Sequence, residues 1–248
     1  MNTVSITYLA GLSRLLYRAN YPLYKGLYFF YKKFADKENL SFLTRNIKKG
    51  MVVLDIGANI GFYSVYMAQL VGKEGKVHSF EPCKETFEKL LRSIHGLPQV
   101  VANQAGVMDF TGEAELNLSA VGNVDNWLEK KSGYDTVANS ISTITLDEYC
   151  RRECLEVDFI KMDIQGGELM ALKGFSNTLD SMDRVTILME LWPYGLKRSG
   201  SDPKDVFEFL EDKKLKMEAV NGKRLHLFNI HDFSPDNYIN VLIKRQDD

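Results

Sequence analysis

The chain has 248 residues, enough for one large domain with a substantial core. Apolar residues make up 45% and charged residues 26%, an ordinary globular balance, and no long uncharged apolar run reads as a membrane span. The formal net charge of −2 argues against bulk electrostatic capture of nucleic acid.

Charge is uneven along the chain. Residues 1–49 hold nine Lys/Arg and two Asp/Glu, a balance of +7, against −9 for the remainder. Ten of the aromatics also lie there, among them Tyr24, Tyr28, Phe29, Phe30, Tyr31 and Phe34. Helices are expected over 3–18 and 22–46, so residues 1–46 read as a helical extension. Such a basic, aromatic leader suits a membrane surface, a lipid-linked substrate or the rim of a substrate site. A lid packed on the main domain, its lysines in solvent, is the preferred reading, because a surface helix with one apolar face is ordinary. The leader lacks the order of a secretory signal. Cys83, Cys150 and Cys154 are an odd set without zinc-type spacing and read as reduced thiols of a cytoplasmic protein. A homodimer is compatible with all of this.

Residues 47–248 read as one α/β domain. A first strand over 51–56 runs into Asp55 and the open turn Gly57-Ala58-Asn59-Ile60-Gly61, and a helix follows over 60–71. A second strand over 76–81 ends in Glu81, ahead of Pro82 and a helix from Cys83 to His95. Strand, glycine turn, helix, strand and terminal acid make the first half of a nucleotide-type cofactor site. The turn lacks the middle glycine of a dinucleotide cradle, and Asp55 puts negative charge where phosphates would lie. That favours S-adenosylmethionine, which has a ribose and a sulfonium but no phosphate. Glu81 is placed to accept hydrogen bonds from two ribose hydroxyls. Cys83, although it follows a proline, sits after the wrong strand for a nucleophile and reads as packing.

A third strand covers 100–105 and includes Gln104. Residues 106–146 break the pattern with Gly, Asn, Ser and Asp, and alternation at 114–118 and 140–144 reads as an inserted β-ribbon. A short helix over 146–153 has Thr145 and Glu148 at capping spacing. Strands then fall at 157–163 and 185–190, helices at 168–174 and 202–213, and two late strands at 224–228 and 238–243. Strands alternating with helices predict a mostly parallel sheet of order 3-2-1-4-5 with right-handed crossovers.

In such a sheet, ligands bind at the carboxyl ends of the strands, where strands 1 and 4 separate. Asp163 ends the fourth strand, Glu168 opens the helix after its loop, and Glu190 ends the fifth. Three carboxylates in one place need neutralising. A divalent cation held by Asp163 and Glu190 would do it, although no metal set is firmly indicated. A general base with a raised pKa would also do it, with Asp163 first in line. The plainer alternatives are that Glu168 favours a helix start, that Lys161 pairs with a carboxylate, and that Glu190 holds its loop. His226 and His231 show no ligand spacing.

These residues carry a resemblance. Leu54 to Ser64, Phe80-Glu81-Pro82, Thr145 to Tyr149, Asp158 to Glu168 and Met189-Glu190-Leu191 together resemble the FkbM family of S-adenosylmethionine-dependent methyltransferases, over about residues 50–245. The resemblance implies a class I methyltransferase fold, Rossmann-like, with a mostly parallel seven-stranded sheet and helices on both faces. It implies O-methylation of a saccharide, glycan or secondary-metabolite hydroxyl, with Asp55, Gly57, Asn59, Gly61 and Glu81 at the cofactor. Pro82 and Gln104 stand beside those strand ends and join that set. One departure is plain: the strand-4 loop usually reads acid-Gly-Ala-acid, and here it is Gln165-Gly166-Gly167-Glu168. Three rivals remain: a nucleic-acid or small-molecule N-methyltransferase, a nucleotide-dependent oxidoreductase, and a non-catalytic module that binds cofactor and a partner. The first would carry an Asn/Asp-Pro-Pro-aromatic loop after strand 4, and this chain does not.

Overall fold

The computed structural model describes residues 17, 19–117, 127–129, 139–221, 224–227 and 238–246. The chain divides into two compact units, Met1–Phe42 and Leu43–Asp248. In the first, helix α1 spans Tyr21–Ala35. Asn20 starts it by accepting a hydrogen bond from the Leu23 N–H, and Pro22 sits in the first turn, where a missing donor costs nothing. The single helix expected over 22–46 is two: α1 stops at Asp36, and α2 runs Lys37–Asn46. Asp36 pairs with Lys32 one turn back, which ties the last turn of α1 down. The helix expected over 3–18 lies, apart from Tyr17, outside the described residues.

The second unit is built on a sheet. Strands β1 (Val52–Ile56), β2 (Lys76–Phe80) and β3 (Val100–Asn103) alternate with helices α3 (Phe62–Val71) and α4 (Lys84–Ser93). Then come β4 (Gly106–Val107), β5 (Gly112–Asn117), β6 (Trp127–Glu129), β7 (Asn139–Ile144) and α5 (Leu146–Glu153). The chain continues with β8 (Phe159–Met162), α6 (Glu168–Lys173), α7 (Ser176–Ser181), β9 (Thr186–Leu191), α8 (Pro193–Arg198) and α9 (Pro203–Asp212). It closes with β10 (Leu215–Asn221), β11 (Arg224–Leu227) and β12 (Ile239–Arg245).

The main sheet has the order β3-β2-β1-β8-β9-β12-β10-β11. β3, β2, β1, β8 and β9 are parallel neighbours, and β12 runs antiparallel to both β9 and β10. The first seven strands in that order make the mostly parallel sheet expected, and β11 adds an antiparallel edge. The central strands read as apolar runs because both faces are covered: Val53, Leu54 and Ile56 of β1 are fully buried. α5 starts as its sequence indicates, with the Thr145 hydroxyl accepting from the Glu148 N–H at 3.2 Å.

Several expectations are corrected. The inserted β-ribbon takes the form, among the described residues, of a separate sheet of four strands, β4-β7-β5-β6, with β4 and β7 parallel. Residues 118–126 and 130–138 of that insert lie outside the described residues. Among the described residues the tail has three strands rather than two, because β10 pairs on both sides. Phe228 and His231 are also outside the described residues. α7 and α8, six residues each, were not expected: helices that short do not hold without packing, and Leu179 and Leu196 bury them.

Candidate active site

The site follows from where the sheet reverses. β1 pairs with β2 on one side and β8 on the other, so the crevice opens over the carboxyl ends of β1 and β8. The Asp163 N–H donates to the Ile56 carbonyl at 2.9 Å, which sets the two strand ends side by side.

After β1 the backbone turns through positive φ at Gly57, Asn59 and Gly61. Gly57 and Ala58 both donate to the Phe80 carbonyl, at 3.1 and 2.9 Å, anchoring the turn to β2. Only glycine fits at 57: with φ at +82°, an added Cβ would overlap the carbonyl oxygen of Asp163. The two loops therefore meet backbone to backbone.

Glu81 sits beside this turn. One carboxylate oxygen accepts from the Asn59 N–H and the other from the Cys83 N–H, both at 3.0 Å. Burial pushes its pKa up to about 7, against the pull of those two hydrogen bonds. Pro82 is half-buried next to it, and Gln104 lies exposed just past the end of β3. Cys83 is buried against Met108, Ala114 and Ile141, as a packing role requires.

Asp55 stands on β1, two residues before Gly57. It is fully buried, and one oxygen accepts from the Ser64 hydroxyl of α3 at 2.6 Å, backed by Ser79 at 2.9 Å. Its other oxygen has no partner in the protein. Desolvation raises its pKa, and Lys161, its register neighbour on β8, lowers it.

The second acidic cluster does converge. Lys161 is buried, lies 4.5 Å from the centre of the Tyr63 ring and pairs with Asp163 at 3.3 Å. Gln165 then reaches across: its amide donates to Asp163 at 2.9 Å and to Glu190 at 3.1 Å. The position where this chain departs from its motif is thus the bridge between the two carboxylates. Gln165 itself sits at φ +56°. Burial first, and then the charge of Asp163, push the Glu190 pKa up to about 8. Glu168 takes another part. One of its oxygens accepts from the N–H groups of Ile164 and Gly166, at 3.3 and 3.1 Å, stitching the loop. It is 1% exposed, its other oxygen lacks a partner, and burial lifts its pKa to about 7.

A cation shared by Asp163 and Glu190 does not fit this arrangement. The Gln165 amide nitrogen occupies the position between them and presents donors rather than lone pairs. Among the described residues, no group of three or more His, Cys, Asp or Glu is arranged to hold a metal ion.

The loop after Glu190 was expected to be irregular and is α8. Its backbone abuts the Gln165 loop: an added Cβ on Gly166, at φ +108°, would overlap the Gly195 carbonyl. Trp192 and the exposed Tyr194 lie 5.4 Å apart, and Arg198 lies over both rings at 4.9 and 6.0 Å. Arg198 does not stand out from the sequence, and Gln165 does so only as a departure from the motif, not as a bridging residue. The one usable signal was the amide in an otherwise acidic loop.

A family model described as the methyltransferase FkbM domain matches residues 55–217, a span that holds every residue of this cluster. The chain belongs to the FkbM methyltransferase family. It is similar to the hexuronic acid methyltransferase AglP of Haloferax volcanii, 28% identical over 77% of this chain and 74% of that protein. It is also similar to the methyltransferase sdnD of Sordaria araneosa, 25% identical over 82% and 84% of the two chains. Among solved structures it is similar to a SAM-dependent methyltransferase from Aquifex aeolicus, with a TM-score of 0.43, 18% identity and 84% and 88% coverage.

Proposed function

We propose that this methyltransferase moves a methyl group from S-adenosylmethionine to a hydroxyl of a saccharide, glycan or small secondary metabolite. Glu190 carries the reading: a carboxyl lifted to about 8, at the carboxyl edge of the sheet, held by Gln165 next to a charged Asp163–Lys161 pair. A carboxylate of that basicity suits proton removal from an alcohol at neutral to mildly alkaline pH.

The residues present fit the cofactor. Glu81 is pinned by two backbone N–H groups, which leaves a lone pair on each oxygen for a pair of ribose hydroxyls. Gly57 and Gly61 keep side chains out of the turn beside it. When bound, S-adenosylmethionine supplies a methyl group on a sulfur that departs neutral and needs no acid. Everything else falls to the chain. Glu190 accepts the proton of the acceptor hydroxyl as that oxygen takes the methyl group. Lys161 and the Gln165 amide balance the charge that Asp163 and Glu190 share before that transfer, and the proton then leaves Glu190 neutral. Glu168 and Asp55 act at a distance, the first by holding the loop of residues 164–167 and the second by tying β1 to α3 through Ser64. Trp192 and Tyr194 follow Glu190 in the chain, with Arg198 over both rings, and aromatic side chains there suit the C–H face of a sugar ring. The AglP relative, named for a hexuronic acid substrate, supports a saccharide acceptor.

The test is labelled methyl transfer from S-adenosylmethionine to panels of soluble saccharides and hydroxylated metabolites. Turnover should rise with pH and level off above about 8 as Glu190 ionises. Glu190→Gln should cut kcat about 100-fold or more while cofactor affinity stays within a few-fold. Full activity in that variant removes Glu190 from the role of base.

A further inference from the structure

Helix α1 carries an apolar face that its own unit does not cover. Leu23, Leu27, Phe30, Tyr31 and Phe34 are 49%, 53%, 65%, 64% and 67% exposed. They recur at steps of four, three, one and three residues, the spacing of one helical stripe. Among the described residues, nine large apolar side chains are exposed, and five of them stand on this stripe. The other side of the helix is occupied: Tyr21 is buried, Tyr24 stacks on Tyr28 at 5.8 Å, and Tyr17 meets Tyr24 edge-on at 5.0 Å. The five therefore form one stripe along the helix and not a random scatter of exposed residues.

Charge selects the occupant. α1 contains Lys25, Lys32 and Lys33 and no acidic residue, although Asp36 just past its end pairs with Lys32. It lies within the first 49 residues, with their balance of +7, while the rest of the chain holds −9. A second copy seated on the stripe would bring two such basic segments together. An anionic lipid surface meets both needs at once, acyl chains for the stripe and negative headgroups for the net positive charge of this segment. The aromatic content fits as well, since Tyr and Phe rings sit readily at the headgroup boundary. At 15 residues the helix is about 22 Å long, too short to span a bilayer. No helix among the described residues is long and apolar enough to cross one.

We propose that α1 is a docking helix that lays its Leu23–Phe34 face into the surface of a bilayer containing anionic lipid. This goes beyond the methyl-transfer reading and stands independently of it.

The experiment is co-sedimentation of the full chain with two kinds of vesicle, phosphatidylcholine alone and phosphatidylcholine with about one part in three phosphatidylserine. The expected result is binding to the anionic vesicles only, weakened several-fold when salt is raised to about 0.5 M. Phe30→Ser/Phe34→Ser should lose at least about tenfold of that binding. Both positions are about two-thirds exposed, so the variant should keep the thermal unfolding midpoint of the parent. Sedimentation velocity is run on both proteins without lipid. The proposal is overturned if anionic vesicles fail to bring the chain down, if neutral vesicles do so equally, or if the double variant binds unchanged. It is also overturned if the parent is a dimer that the double variant splits, because the stripe then belongs to a second copy. Cofactor calorimetry on the same proteins reports on the methyltransferase site separately.

Discussion

Glu168→Gln separates the two things a buried carboxyl can do here. In the native protein one Glu168 oxygen accepts from Ile164 and Gly166, and the other has no partner. A glutamine Oε1 keeps both hydrogen bonds, and its amide nitrogen replaces the orphaned oxygen. The loop should therefore survive while the titration disappears. Burial raises the folded pKa to about 7 from an ordinary 4.5. Between those two values the unfolded chain has released its proton and the folded chain has not. The folded state then binds more protons, so stability falls as pH rises through that window. A shift of about 2.5 units corresponds to about 3 kcal/mol, lost progressively from about pH 4.5 to 7 and absent in the variant. Glu81 and Glu190 are raised in the same direction but are common to both proteins, so they cancel in the difference. Urea unfolding followed by circular dichroism from pH 5 to 8 measures it. The variant should match the parent within about 1 kcal/mol at pH 5 and exceed it by about 2–3 kcal/mol at pH 8. Parallel curves would refute the assignment of a neutral buried acid. Methyl transfer by the variant should stay within about tenfold of the parent, because Glu168 holds a loop rather than a proton in flight.

Glu81→Ala should weaken S-adenosylmethionine binding by about 1–3 kcal/mol, since it removes the ribose acceptor and strands the Asn59 and Cys83 N–H groups. Unchanged affinity in calorimetry would exclude Glu81 from the cofactor site. Gly57→Ala forces a side chain into left-handed backbone and into the Asp163 carbonyl, so a loss of about 2 kcal/mol or more in stability is expected together with weaker cofactor binding. A variant with parental unfolding and parental affinity would sink that account. Gln165→Glu puts a third carboxylate where an amide now bridges two, so the Glu190 pKa should climb and the alkaline rise in turnover should move up by about a unit. A pH profile that stays in place would show that Gln165 does not tune Glu190.

Much of this protein was legible in one dimension. Local rules governed β1, its glycine turn and β2, because a covered parallel strand must be apolar throughout and a left-handed turn must use small residues. The Thr145 cap followed from short-range spacing and is found in place, and among the carboxylates open to Lys161 it is Asp163, just past the end of β8, that takes the pair. The remainder needed the third dimension. α7 and α8 persist only because Leu179 and Leu196 are buried, and β10 only because it pairs on both sides. The burial of Asp55 and its bond from Ser64 depend on how α3 packs over β1. Gln165 joins Asp163 to Glu190 across 25 residues of chain, through a positive φ that no residue pattern announced. The raised pKa values of Glu81, Glu168 and Glu190 likewise belong to the assembled interior. Spacing along a chain sets which side chains exist and on which strand they stand, but burial and approach distance set their charge, and those arise only when distant segments close around them.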